Sequence, residues 1–201
     1  MARRDQQDDY LLWEPRPRGD PLDGPHEPSS HRLRRGRSGR IGEVAFVTKC
    51  LHPDRGLDLS APRVARPIVS ALLKAPELGR CRLLAWCLMP DHIHIVLAPV
   101  GEDRSGPAPG MTPRSSVIGD WADASTHLVN RALREKGSPW QEGFHDHRVR
   151  RRERLSDLIA YVHWNPVKAG LVAAPEQWPW SSAAPEFAET TDWSWYVGNC
   201  D

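Results

Sequence analysis

Two histidines one residue apart, His92 and His94, sit in the apolar run Trp86-Cys87-Leu88-Met89-Pro90-Asp91-His92-Ile93-His94-Ile95-Val96-Leu97. In a strand, residues i and i+2 share a face. The two imidazoles then stand side by side, while Ile93, Ile95 and Leu97 pack on the opposite face. Neutral imidazole is the commonest metal ligand, so such a pair can chelate a divalent ion. The polar face of an edge strand has the same spacing, and the pattern alone leaves both readings open. A second group closes a helical run, Tyr161-Val162-His163-Trp164-Asn165-Pro166-Val167-Lys168. Tyr161 and Asn165 are four apart and share a helix face. Tyr161 lies at the edge of the stripe formed by Leu155, Leu158, Ile159 and Val162, where a boundary tyrosine with a packed ring and a wet hydroxyl would also fall. The other two tyrosines, Tyr10 and Tyr196, belong to the terminal extensions.

The net charge of +1 gives no global argument for a nucleic-acid partner. Its distribution gives a local one. Arg32, Arg34, Arg35 and Arg37 cluster before residue 40, and Arg148, Arg150, Arg151 and Arg152 form a second run. Each arginine alone fits a solvated surface; two runs in an otherwise neutral chain favour a phosphate partner. The four cysteines show no CxxC spacing, which excludes a zinc ribbon and gives no disulfide framework. Cys50 and Cys87 lie in apolar strand-like runs and read as core thiols. The first residues lack an apolar signal region and no stretch is long enough to span a membrane. A reducing, cytoplasmic setting is the default expectation, with no membrane partner.

The elements that must position these groups follow from periodicity. Residues 1–40, rich in Pro, Arg, Asp, Gly and Ser, read as a flexible basic extension. Strands are expected at 43–50, 82–88 and 91–98, with a short strand or extended segment at 144–149. Helices are expected at 61–75, 117–136 and 153–164. Pro67 falls early in the first helix, whose regular part is therefore expected to begin there. Pro166 disfavours αR geometry at Asn165. Residues 99–112 read as a Gly/Pro-rich loop. The order β-α-β-β-α-β plus a late helix predicts an α+β, ferredoxin-like (RRM-like) split βαβ fold with a central antiparallel sheet. The expected division is an extension over 1–40, a catalytic domain over 41–183 and a tail over 184–201, with the tryptophans after Pro175 packing over the domain.

Four blocks in sequence, Met89-Pro90-Asp91-His92-Ile93-His94-Ile95-Val96-Leu97, Trp140-Gln141-Glu142-Gly143-Phe144-His145-Asp146-His147, Tyr161 through Val172, and Trp178-Pro179-Trp180-Ser181-Ser182, resemble those of the REP-associated tyrosine transposases. These are single-tyrosine HUH transposases, named for histidine, bulky hydrophobic, histidine. The resemblance implies that His92 and His94 hold a divalent metal, Mg²⁺ or Mn²⁺, with Asn165 as third ligand, and that Tyr161 is the nucleophile. Mixed N/O ligation suits Mn²⁺ better than Mg²⁺. It further implies cleavage and rejoining of single-stranded, REP-type hairpin DNA through a 5′-phosphotyrosine, by a monomer or homodimer associated with the nucleoid when bound to DNA. Arg34, Arg35, Arg37, Arg148, Arg150, Arg151 and Arg152 are the candidate DNA contacts, and His145, His147 and His163 are structural or DNA-contacting. Two other functions remain compatible with the residues. One is a domesticated protein that binds structured single strands without strand transfer. The other is a hydrolytic metalloenzyme using His-x-His with a third ligand such as His145 or His147.

Overall fold

A computed structural model describes residues 41–100, 113–149 and 155–190. The expected extension over 1–40, residues 101–112 of the expected 99–112 loop, residues 150–154 with Arg150, Arg151 and Arg152, and the chain after residue 190 lie outside the described residues. Four strands, β1 (Ala45–Cys50), β2 (Cys81–Leu88), β3 (His92–Pro99) and β4 (His145–Arg148), form one sheet in the order β2-β3-β1-β4. Every neighbouring pair is antiparallel. Helices α1 (Pro62–Glu77) and α2 (Pro113–Leu133) cover one face, and α3 (Leu155–Lys168) lies on the other. This is the split βαβ arrangement that the element order predicts.

Strand alternation builds both layers. Ala45 and Val47 of β1, with Ile93, Ile95 and Leu97 of β3, pack beneath α1 and α2. Phe46 and Val96 turn the other way, against Leu158, Ile159, Tyr161 and Val162 of α3. A bulge between Leu83 and Ala85 puts Leu84 and Ala85 together in the α3 layer, with Trp86 back in the other.

Two proline expectations are corrected. Helix α1 begins at Pro62, not at Pro67, with Ala61 as its N-cap. Pro62 at the first helical position forfeits no intrahelical bond, and Val64 and Ala65 are buried in the core, so the first turn is held by packing despite the interior Pro67. Helix α3 likewise runs through the buried Pro166 to Lys168. It ends where Gly170 takes φ +71°, a left-handed conformation open to glycine. There Leu171 N–H donates to the Pro166 carbonyl and Gly170 N–H to Val167, a Schellman-type close.

Two pieces of chain fix the β2–β3 hairpin. At its turn, the Asp91 carbonyl accepts from Leu51 N–H and the Pro90 carbonyl from Leu59 N–H, at 2.7 and 2.8 Å. Along the outer edge of β2, Leu88 N–H donates to the Trp180 carbonyl and Ser182 N–H to the Trp86 carbonyl. An edge left open would offer unpaired donors and acceptors to other chains. The tryptophan-rich stretch thus packs on the domain as expected. Trp178 Nε1 donates to the Leu88 carbonyl, and Phe187 meets Trp86 edge-on in the core.

Candidate functional site

The turn pinned at Pro90 and Asp91 sets where β3 begins, and therefore where His92 and His94 point. Both emerge on the α3 face. Their Nε2 atoms approach to 3.1 Å. Each Nδ1 is held from behind: His92 Nδ1 is 2.6 Å from Asp91 Oδ1, and His94 Nδ1 is 2.9 Å from Thr48 Oγ1. The hydrogen bond from His92 keeps the Asp91 carboxyl below the usual carboxylate range. An ionised carboxylate only accepts, so His92 carries a proton on Nδ1, and in the neutral ring this leaves Nε2 bare. Thr48 is different, since its hydroxyl either donates or accepts. With His94 protonated on Nε2, the rings share an N–H···N bond and Thr48 donates to Nδ1. With the hydroxyl reversed, both Nε2 lone pairs converge on one point.

That separation fits a chelate. Two donors about 2.1 Å from a shared ion at right angles stand about 3 Å apart. Carboxylate and hydroxyl partners behind ligating imidazoles are the supports that set tautomer and ring orientation at metal sites. His94 is 2% exposed and fixed between layers, whereas His92 is more open to solvent.

Helix α3 brings Tyr161 to this pair. Its ring centroid is 5.8 Å from that of His94 and 5.8 Å from that of Phe46. At 5% exposure Tyr161 is more enclosed than a boundary residue. Lys168, two turns on, places Nζ 4.7 Å from the centre of the same ring. Asn165 follows Tyr161 by one helical turn as expected. Its Nδ2 donates to the Tyr161 carbonyl at 2.8 Å, so α3 itself orients the amide.

The remaining candidates divide by register. Directly opposed residues of antiparallel strands point the same way. His145 pairs with Thr48, which pairs with His94, and His147 pairs with Phe46. Both histidines therefore lie on the site face, beyond β1. Arg148 pairs with Ala45 and turns to the α1/α2 side, where it lies 3.3 Å from Glu43. Asp146 has the same parity and pairs with Arg114 of α2. The second block is anchored in its first half. Gln141 N–H donates to the Cys50 carbonyl, and the Lys49 ammonium donates to the carbonyls of Gln141 and Gly143, with burial lowering its pKa to about 8. Cys87 is buried as expected and Cys50 half-buried.

His163 serves the fold. It is 1% exposed, its Nε2 is 2.8 Å from Ser182 Oγ, and burial lowers its pKa to about 4. Ser182 in turn accepts from Trp86 N–H at 2.9 Å. Sequence reasoning missed Thr48, Phe46 and Asp91; only Asp91 had a local signal, its adjacency to His92. Among the described residues no helix is long and apolar enough to cross a membrane, and no three or more His, Cys, Asp or Glu side chains group as a metal site.

No family model matches the chain. Two curated homologues do. One, of Haemophilus influenzae and provisionally named a REP-associated tyrosine transposase, is 28% identical over 100 residues, 49% of this chain and 57% of that protein. The REP-associated tyrosine transposase of Escherichia coli K12 is 23% identical over 113 residues, 56% of this chain and 60% of that one. The chain thus spans under two thirds of the length of either. Among solved structures, a REP-associated tyrosine transposase bound to a REP hairpin superposes with TM-score 0.56 and 22% identity, covering 71% of this chain and 78% of that one. That likeness shows a shared fold.

Proposed function

We propose that this chain is a metal-dependent DNA transposase that cleaves and rejoins single strands beside a REP-type hairpin through Tyr161. The observation that carries the reading is one juxtaposition: two imidazole Nε2 atoms 3.1 Å apart, with the centre of the Tyr161 ring 5.8 Å from the centre of the His94 ring. Binding alone needs neither.

In the forward step the Tyr161 oxygen forms a bond to phosphorus in line with the departing 3′ oxygen. The P–O3′ bond breaks, its electron pair leaves with the 3′ oxygen, and that oxygen gains a proton as the phenol loses one. The 5′-phosphotyrosine conserves a phosphodiester bond, so a 3′-hydroxyl can reverse the step. His92, His94 and the amide oxygen of Asn165 would hold the divalent ion. When bound, that ion neutralises charge on a non-bridging phosphate oxygen. The protein's own part is positioning: Asp91 and Thr48 aim the imidazoles, and Phe46 and His94 hold the phenol ring.

A hydrolytic site would recruit His145 or His147 as a third strong ligand. Strand β1, with Thr48 and Phe46 turned to the same face, stands between them and the pair, and among the described residues neither joins the pair in a group of three His, Cys, Asp or Glu side chains. The curated homologues favour strand transfer over a binding-only protein.

The test uses a pool of labelled hairpins with randomised single-stranded flanks, incubated with Mn²⁺ or Mg²⁺. A denaturation-resistant protein–DNA adduct is expected, with the DNA 5′-phosphate mapped to Tyr161 by mass spectrometry and a free 3′-hydroxyl on the released strand. Hairpin binding with neither adduct nor cleavage would favour the binding module, and multiple-turnover cleavage without an adduct the hydrolase. The metal reading has its own check. Thr48→Val keeps the shape of β1 but removes the bond to His94 Nδ1. We expect about 10- to 100-fold weaker Mn²⁺ binding, read by spin-resonance titration of the DNA-free protein. Unchanged affinity would remove Thr48 from the site's support.

A further inference from the structure

Lys168 sits where the proposed chemistry has no assigned group. Its ammonium lies 4.7 Å from the centre of the Tyr161 ring, on an exposed residue in the last turn of α3. The His94 ring touches the same phenol from the sheet. The phenol is thus flanked by the imidazole pair and by a cation carried on its own helix. Any phosphorus within bonding distance of the Tyr161 oxygen is within reach of a flexible lysine resting on that ring.

We propose that Lys168 is a phosphate ligand of the site, donating to a non-bridging oxygen of the scissile phosphodiester as the Tyr161 oxygen attacks. The inference rests on Tyr161 being the nucleophile. Five-coordinate phosphorus carries one more negative charge than the diester once the phenolate has added, and donors aimed at that charge act on the barrier itself. A single ion held by two imidazoles and an amide leaves part of this charge to the protein. Lysine suits the task as a compact, mobile point charge. In the free protein the aromatic face holds the ammonium in place by cation–π attraction, and the incoming phosphate takes it over.

A plainer role is also available, because a cation in the last helical turn complements the helix dipole and covers the ring. The experiment separates the two. Single-turnover adduct formation is measured at saturating DNA with hairpins selected from the randomised pool, for wild type, Lys168→Gln and Lys168→Arg. Loss of one charge-assisted hydrogen bond in the transition state slows the Gln variant by about 10- to 100-fold. The Arg variant stays within about threefold of wild type. Affinity for a hairpin cut short of the scissile phosphate does not move, and the thermal midpoint falls by at most a few degrees, the cost of the lost ring contact.

The decisive arm replaces the scissile phosphate by a methylphosphonate, which lacks one anionic oxygen. The deficit of Lys168→Gln relative to wild type then shrinks severalfold or more. Equal deficits on both substrates, wild-type rates in the Gln variant, or an Arg variant as slow as Gln would each overturn the proposal while leaving Tyr161 as nucleophile intact. A wild-type protein that forms no adduct with any pool member would overturn both.

Discussion

Tyr161→Phe is expected to abolish covalent capture of DNA while leaving the folded protein and its hairpin affinity in place. The substitution removes one oxygen and keeps the ring. The edge-on packing on Phe46, the tilted contact with His94 and the Lys168 ammonium over the ring all involve carbon surface that phenylalanine retains. The cost of one lost hydroxyl is about 0.5–1.5 kcal/mol, against about 3–5 kcal/mol for truncating a buried aromatic to alanine. Phenylalanine is therefore the informative change and alanine is not. On the catalytic side nothing replaces the oxygen. An ordinary phenol is only about a thousandth ionised at neutral pH, and in the proposed reaction geometry would have to supply its reactivity. Water admitted to the same position would yield hydrolysis and no adduct. The assay is gel-resolved adduct formation on the labelled hairpin pool with Mn²⁺, beside fluorescence anisotropy on the same DNA. An adduct that persists in Tyr161→Phe at even a few percent of wild type would move the nucleophile elsewhere. A hairpin affinity that collapses with it would make Tyr161 a binding residue.

The sequence displayed the parts of this site that obey a local period. His92 and His94 share a face because strand side chains alternate, and Tyr161 and Asn165 because a helix turns every 3.6 residues. What it hid depends on register between distant segments. Thr48 reaches His94 only because β1 pairs with β3 in one alignment, 46 residues apart in sequence. The same parity turns His145 and His147 to the site face and Arg148 to the other. An arginine in a basic run says nothing of that parity, and a one-residue slip would invert it. Helix α3 outran its expected end because Pro166 is buried and Gly170 supplies a proper close, so tertiary packing overrode a local rule.

The four sequence blocks also separate into two kinds of work. Met89–Leu97 and the segment from Tyr161 carry the groups proposed to react. Trp140–His147 is tied down through Lys49 and Cys50 before it delivers His145 and His147. Trp178–Ser182 seals the edge of β2 and grips α3 through His163. The grip matters for chemistry, because His163 stands two residues from Tyr161 on the same helix. What holds one in place positions the other.

That grip should fail in acid. His163 is 1% exposed and its pKa falls from 6.5 to about 4 because burial penalises the charged ring. The folded state therefore keeps it neutral at pH values where the unfolded chain already binds a proton. The contribution is intact above the unfolded pKa, is lost progressively as pH falls below 6.5, and levels off near pH 4, where the folded protein also takes up the proton. The span between the two values corresponds to a loss on the order of 3 kcal/mol, a large share of the stability of a small domain. His163→Met should remove this slope. Methionine fills the space flexibly, and Ser182 keeps its bonds to the Trp86 backbone. Urea unfolding from pH 7 to pH 4.5 is the measurement. Wild type should release stability with a slope about one proton steeper than the variant. Identical pH slopes in the two proteins would show that His163 titrates no differently in the folded and unfolded states.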